Sequence, residues 1–404
     1  MANQTQGLDS SMRKRGKLKP WLREAARQLG FDLCGIAPAS LPELDRARYL
    51  SWLERGFQGE MKYMEREQRL DLRLLLPSVR SVICAGMVYN TPHPKSVECP
   101  DPARGWISRY GWGEDYHLVL RERLEKLLEG LRREAGAPFE AKICVDTAPL
   151  LERAAAQAAG VGWIGKNTCL IREKVGSWFL LGEILTSLEI EPDGPAPDRC
   201  GTCRRCIDAC PTAAIVEPYV LDATRCISYF TIELRGSIPE AFRPAVGRHL
   251  FGCDICQDVC PWNSKAPVTL LPEFQPRAIQ AVDEQRQSGE ESAVPSTPVP
   301  STFVPSTFNP PLEWLASLSE EEFRRTFRRS PIQRARYRGM LRNAAVAMGN
   351  SRLEKFRPLL EKLAEHPDAL VQEHARWALE QLGENPPQAP LKPKNAGTPA
   401  SGLD

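Results

Sequence analysis

The sequence predicts an α+β protein in three parts: an N-terminal domain of mixed helices and strands, a cysteine-rich module and an all-helical C-terminal domain. Three observations carry that expectation. Apolar spacing alternates between helical and strand periods from the start of the chain to about residue 190. Eight of the 13 cysteines lie between Cys200 and Cys260. From Leu312 to Leu382 almost every segment has helical spacing. The 404 residues suit two or three domains at roughly 150 residues each, and 42% hydrophobic content excludes global disorder.

Each element follows from its pattern. Trp21, Leu22, Ala25, Ala26 and Leu29 recur on one face of an opening helix. Phe31–Ser40 reads as a short strand closed by a Pro turn, and Leu44–Arg55 has helical spacing. Arg80–Tyr89 is dense enough in β-branched and apolar residues for a buried central strand. Tyr116–Arg133 is a helix with a stripe of Leu118, Leu120, Leu124, Leu127 and Leu128. Lys142–Val145 is strand-like, Leu150–Gly160 an Ala-rich helix ending in Gly, and Ser177–Leu188 a strand. The alternation fits one α/β or α+β domain. Val294–Phe308 reads VPSTP, VPSTF, VPSTF, a composition that cannot bury enough surface to fold and predicts an exposed insertion. Further on, Arg342–Gly349 and Asp368–Leu379 alternate small and aliphatic residues as HEAT-type helix pairs do. The tail after Glu384 is expected to be disordered.

Charge narrows the function. Lys+Arg 53 against Asp+Glu 51 gives a net +2, so a globally basic nucleic-acid coat is excluded and any such site must be a local patch. Phe323–Arg342 supplies one: Arg324, Arg325, Arg328, Arg329, Arg334, Arg336, Arg338 and Arg342, with no acid among them and Phe323, Phe327 and Tyr337 interleaved. That pattern suits an RNA backbone better than a solvated helix face. No run of about 18 uncharged apolar residues exists, and the first residues are polar and basic, so neither a membrane anchor nor an export signal is expected. The location is expected to be cytoplasmic.

Thirteen cysteines in a reducing compartment need a reason other than disulfides. Cys200-x2-Cys203-x2-Cys206-x3-Cys210-Pro211 is the bacterial ferredoxin run, in which three thiolates bind one [4Fe–4S] cube and the fourth reaches another. Cys253-x2-Cys256-x3-Cys260-Pro261 repeats the ending, with Leu250 where the first ligand would stand and Cys226 as its substitute. The crossover assigns Cys200, Cys203, Cys206 and Cys260 to one cluster and Cys253, Cys256, Cys226 and Cys210 to the other. Zinc would give the third close cysteine and the Pro no role. Two such clusters move single electrons, so another group must carry the organic chemistry. Gly160-x-Gly162-x-x-Gly165 follows a helix where a dinucleotide fingerprint needs a strand, and reads as a helix C-cap and turn. A cobalamin DxHxxG signature begins at Asp115-Tyr116-His117 but meets Leu120 in place of its Gly.

An ordered series of segments resembles a known family. It comprises Gly59-Glu60-Met61, Tyr110, Asp115-Tyr116-His117, Val145-Asp146-Thr147-Ala148-Pro149, Gly162-Trp163-Ile164-Gly165-Lys166-Asn167-Thr168, Gly176-Ser177-Trp178, Cys226-Ile227-Ser228-Tyr229 and Phe251-Gly252-Cys253-Asp254-Ile255-Cys256-Gln257, with both cysteine clusters. Together they are similar to epoxyqueuosine reductases, cobalamin-dependent iron–sulfur enzymes of tRNA modification, from about residue 18 to 382. The resemblance implies a cobalamin-binding α/β domain over 18–190, related to reductive dehalogenases and nitroreductase-like. A ferredoxin-like bis-[4Fe–4S] module would follow over 191–270 and a linker with the repeat insertion over 271–311. A HEAT-like tRNA-binding domain over 312–383 and a disordered tail over 384–404 would complete the chain. It implies reduction of epoxyqueuosine to queuosine at the tRNA wobble position, a base-off cobalamin, an electron donor such as ferredoxin or flavodoxin, and a monomer.

Residue by residue, the resemblance makes Asp146 the proton donor and gives Arg69, Asp146, Cys169 or its neighbour Leu170, Ser228 and Gly252 as cobalamin contacts. On spacing alone Asp146 is a helix cap ahead of Pro149; as a donor it is expected to have its pKa raised by burial. Lys166 and Asn167 fit either a capped turn or a contact to substrate or corrin. The alternatives are a small-molecule cobalamin reductase and an electron carrier without catalysis.

Overall fold

The computed structural model describes residues 18–278 and 306–383. Four strands form the N-terminal sheet: β1 (Leu33–Pro38), β2 (Ser81–Val88), β3 (Ala141–Cys144) and β4 (Phe179–Thr186). Their order is β1-β2-β4-β3 and every pairing is antiparallel. The domain is therefore α+β, one of the two classes the alternation left open, and the α/β class implied by the resemblance is corrected. Alternation of helix and strand along a chain is common to both classes; strand direction depends on where each connection ends, which periodicity does not encode. β2, apolar after Ser81, is buried at every position, as a central strand must be.

Helices cover both faces. α1 (residues 18–28) and α3 (Tyr116–Ala135) bury Leu22, Ala26, Leu120, Leu124 and Leu127 against Ile83, Met87 and Ile184. Leu118 leaves the expected stripe: it is 40% exposed, because the buried face runs through 120, 124, 127, 128 and 131. Asp115 caps α3 by accepting from the His117 N–H, and Gly136, at φ +64°, ends it. α4 (Glu152–Ala158) packs Ala155, Ala156 and the following Ala159 on the other face, against Val82, Cys84 and Leu185. Gly160, at φ +67°, then turns the chain out of this helix, so the GxGxxG match is a C-cap. α2 (Glu43–Glu54) buries no residue, and Trp52 ties it to the cysteine module through an indole hydrogen bond to Leu221 O at 2.7 Å.

The C-terminal part is helical: α5 (Leu312–Ser317), α6 (Glu320–Thr326), α7 (Arg336–Ser351), α8 (Arg357–Ala364) and α9 (Ala369–Gly383). α7 and α9 touch closely at Gly349, where an added Cβ would lie 2.8 Å from Ala378 Cα. One hydrophobic core runs through Phe230, Val246, Leu250 and Phe251 of the cysteine module and Leu312, Leu341, Ala345, Val371 and Ala378 of these helices. The expected linker over 271–311 is anchored where it is described. Ala278 bridges Ser306, Thr307 N donates to Arg277 O at 3.0 Å, and Asn309 Nδ2 donates to Ser96 O at 2.8 Å. Residues 294–305 of the Pro-Ser-Thr repeat and the tail over 384–404 lie outside the described residues.

Candidate active site

β3 ends at Cys144, and two residues later the chain turns at Asp146 with φ +41°, a left-handed conformation that costs a residue with a Cβ. The capping role does not hold, since α4 begins after Leu151 with no side-chain cap. Instead, the first turn of α3 projects two groups onto Asp146. Tyr116 Oη donates to Asp146 Oδ2 at 3.0 Å, and His117 Nε2 lies 3.0 Å from the same oxygen. The other imidazole nitrogen, Nδ1, lies 2.7 Å from Asp115 Oδ1. The cap of α3 thus doubles as the second partner of His117.

Electrostatics follow from this chain of contacts. Burial opposes charge on His117, but its hydrogen bonds to Asp115 and Asp146 raise its pKa to about 9. At neutral pH it is an imidazolium donating both protons. Burial would likewise raise Asp146, yet the His117 hydrogen bond and charge, Arg334 and Tyr116 together hold it below the ordinary carboxylate range. The expected upward shift of Asp146 is therefore corrected: the resting proton sits on His117. A second carboxyl, Glu152 at the start of α4, is pushed up to about 7 by burial and by Asp146.

The C-terminal part completes this site. Arg334, placed among RNA contacts by its sequence context, has Nη1 3.7 Å from Asp146 Oδ2, Nε 2.5 Å from Glu233 Oε1 and Nη2 3.2 Å from Tyr63 Oη. Tyr110 links the site to the cysteine module, its ring 5.9 Å from Tyr116 and 5.6 Å from Phe251. In the sequence, Tyr116 and His117 are visible only as part of a family segment with no role attached, and nothing there marks Tyr63 or Glu233. The failed DxHxxG match at Asp115 was the signal that could have led to the first two.

The eight clustered cysteines are all unpaired thiols. Cys200, Cys203, Cys206 and Cys260 line one cavity of about 320 Å³, with Lys166, Asn167 and Trp262 in its wall. Cys253 lies where Cys226 and Cys210 raise its pKa, and Cys256 where Cys253 and Cys226 raise its own, beyond the effect of burial on the first and the Cys169 contact on the second. The two groups are those of the crossover spacing. Lys166 Nζ donates to Gly201 O at 2.6 Å and Cys203 O at 2.9 Å, and Asn167 Nδ2 to Cys256 O at 3.3 Å. These two residues hold the loops of both thiol groups.

The candidate corrin contacts separate. Ser228, two residues after Cys226, and Gly252, before Cys253, stand beside the second thiol group; Gly252 has φ +70°, and an added Cβ would lie 2.5 Å from Ser108 Cβ. Arg69 is buried and supports the loop after Asp146, donating to Leu150 O at 3.0 Å. Cys169 hydrogen-bonds to Cys256, and Leu170 is a core residue paired with Ile164.

The arginine run also divides. Arg324, Arg325, Arg328, Arg329, Arg336 and Arg338 are exposed. Arg324 pairs with Glu320, Arg329 with Glu114 and Arg338 with Asp368. Arg342 is not a surface residue: it is 1% exposed and donates to Leu234 O at 2.9 Å and Gly236 O at 2.7 Å. Helical periodicity turns it inward, so it is removed from the RNA surface. Phe323 and Phe327 are likewise core.

The cysteine module and the acid–imidazolium site define a double-cluster iron–sulfur oxidoreductase. Residues 199–263 match a 4Fe-4S double cluster binding domain, and residues 69–147 match the family described as epoxyqueuosine reductase QueG, DUF1730. Epoxyqueuosine reductase of Xanthomonas campestris is 42% identical over 367 residues, covering 90% of this chain and 95% of its own. That of Pseudomonas aeruginosa is 41% identical over 376 residues, 91% and 95% of the two chains. A crystal structure of epoxyqueuosine reductase with an epoxyqueuosine-modified tRNA-Tyr stem loop matches at TM-score 0.78 with 31% identity, covering 92% of this chain and 91% of that one. The Bacillus subtilis enzyme, solved with its catalytic aspartate loop swung out of the active site, matches at TM-score 0.78 with 30% identity and the same coverage. The chain belongs to the epoxyqueuosine reductase family. Among the described residues no helix is long and apolar enough to cross a membrane.

Proposed function

We propose that this chain reduces epoxyqueuosine in tRNA to queuosine. The observation that carries this reading is the contact of His117 Nε2 with Asp146 Oδ2, joined through Tyr110 to the double-cluster module of a family member. Converting an epoxide to an alkene takes up two electrons and two protons and releases water. The eight cysteines, in the two sets above, would hold the two clusters, which would supply single-electron transfer from a protein electron donor.

Base-off cobalamin fits the donor chemistry here. The imidazole at the site, His117, has both nitrogens engaged by carboxylates and none free to ligate a metal. Asp146, Ser228 and Gly252 would border the corrin, with Arg69 behind the loop. When bound, the group supplies a low-valent cobalt able to reduce the epoxide carbon. The chain's own residues manage the proton. His117 Nε2 holds it against Asp146 Oδ2, and Asp146 passes it to the departing epoxide oxygen, since expelling an unprotonated alkoxide is slow. Arg334 and Tyr116 fix the carboxylate's position. The exposed arginines from Arg324 to Arg338 would hold the RNA backbone while the modified base leaves the anticodon stack. The helix pairs that carry them are HEAT-like.

Anaerobic reconstitution with iron, sulfide and cobalamin, followed by nucleoside analysis of epoxyqueuosine-bearing tRNA after adding dithionite, tests the proposal. Queuosine is expected. Unchanged epoxyqueuosine with both clusters loaded would overturn the reading.

A further inference from the structure

The two thiol groups are not equivalent. Cys200 and Cys203 sit on loops with exposed neighbours and Cys206 on the short helix Arg205–Asp208, and Arg199 and Arg205, both exposed, line their cavity. Cys253 of the second group follows Phe251 and Gly252, which approach Tyr110 and so stand on the side of Asp146. Electrons that arrive from outside must therefore enter at the first group and leave from the second.

A surface notch adjoins that entrance. Its volume is about 310 Å³, and Arg172, Lys174 and Arg199 line it with Trp163, Glu173, Ala196 and Pro197. Glu173 is the acid in the wall and is already paired with Arg199 at 3.4 Å. Trp163 is buried and its indole N–H has no acceptor within the protein. The ring of Trp163 packs edge-on against Trp262, 5.2 Å away, and Trp262 is in the wall of the thiol cavity itself. Arg199 belongs to both cavities. A cationic notch with an unsatisfied donor thus shares its wall with the outer cluster.

We infer that this notch, with Arg205 in the wall of the adjoining thiol cavity, is the docking surface for an acidic one-electron carrier protein, whose surface carboxylates enter between Arg172, Lys174 and Arg199. In each encounter the carrier loses one electron and the outer cluster gains it. The inference rests on the proposed reading for the direction of electron flow. Charge complementarity decides the partner: an acidic face is steered to this surface, and the exposed arginines of the C-terminal part, on other elements, are left to RNA.

The test uses the reconstituted full chain with reduced flavodoxin as the probe. Lys174→Glu is the first variant; Arg172→Gln is the second, because Arg172 also donates to Gly160 O and could affect folding. At low salt each variant is expected to slow cluster bleaching by flavodoxin by about tenfold or more. Each is also expected to weaken flavodoxin binding and flatten its salt dependence. Iron content, reduction by dithionite and tRNA affinity are expected to stay at the parent level. Parent-level flavodoxin rates in both variants overturn the inference. So does a loss of tRNA affinity, which would make the notch an RNA phosphate site. Because dithionite-driven conversion does not pass through the notch, its failure in the parent chain would count against the proposed function and not against the docking surface.

Discussion

At the scale of single residues the site is a device for keeping one proton next to one carboxylate. Asp146→Asn keeps the shape and both clusters but cannot relay a proton, so turnover is expected to fall by about 10² or more while iron content is unchanged. His117→Gln removes the stored proton. Its ordinary pKa of 6.5 is raised to about 9, first against burial and then by Asp115 and Asp146. The imidazolium therefore stabilises the fold fully below pH 6.5 and loses that contribution as pH rises through about 9. Conversion by the parent protein is expected to hold through neutrality and decline above about pH 9, and the decline should vanish in His117→Gln; a pH–rate profile checks both. Asp146 was legible in the sequence only through a family resemblance, because Asp before Pro149 is also an ordinary helix start. Its left-handed backbone and its two α3 partners, 29 and 30 positions away, are long-range facts that no local pattern contains.

Individual elements were the most legible level, because burial imposes period. The strand within Arg80–Tyr89 and the helix from Tyr116 were both readable. Register within a helix was harder: Leu118 and Arg342 were assigned to the wrong faces because a run of like residues does not say where its buried stripe begins. Arg342 can be tested as a structural residue. Arg342→Met leaves carbonyls of Leu234 and Gly236 unpaired, and a loss of roughly 2–3 kcal/mol is expected in denaturant unfolding, with no change in the salt dependence of tRNA binding. Replacing Arg325, Arg328 and Arg336 by Ala should do the reverse: unchanged stability, and a salt slope reduced by about 0.7–0.9 for each arginine that meets a phosphate. Gly349→Val would drive a side chain into Ala378 on α9, and a cost of about 1–3 kcal/mol is expected by the same unfolding measurement.

The whole molecule is more continuous than its sequence suggests. Composition shifts at the cysteines and at the Pro-Ser-Thr repeat invite a reading in separable domains, yet the packing crosses those boundaries. Phe230, Leu250 and Phe251 of the cysteine module lie in one core with Leu341, Ala345 and Val371. Asn343 donates across the same boundary to Thr231 O at 2.9 Å and Leu250 O at 2.8 Å. Arg334 then carries the C-terminal part into the site of Asp146. A chain ending at residue 311 would therefore expose the apolar side of the module that holds Cys226 and Cys253, and would lose the Asn343 hydrogen bonds to Thr231 O and Leu250 O. Unpaired groups and exposed core cost more than a small metal module can offset from its own packing. Such a truncation is expected to be poorly soluble and to take up well under the roughly eight irons that two cubes require. Iron and sulfide analysis of the truncated and full chains after identical anaerobic reconstitution separates the outcomes. A soluble truncated protein with a full iron complement would show that the helical part serves RNA alone and that the shared core is dispensable to the clusters.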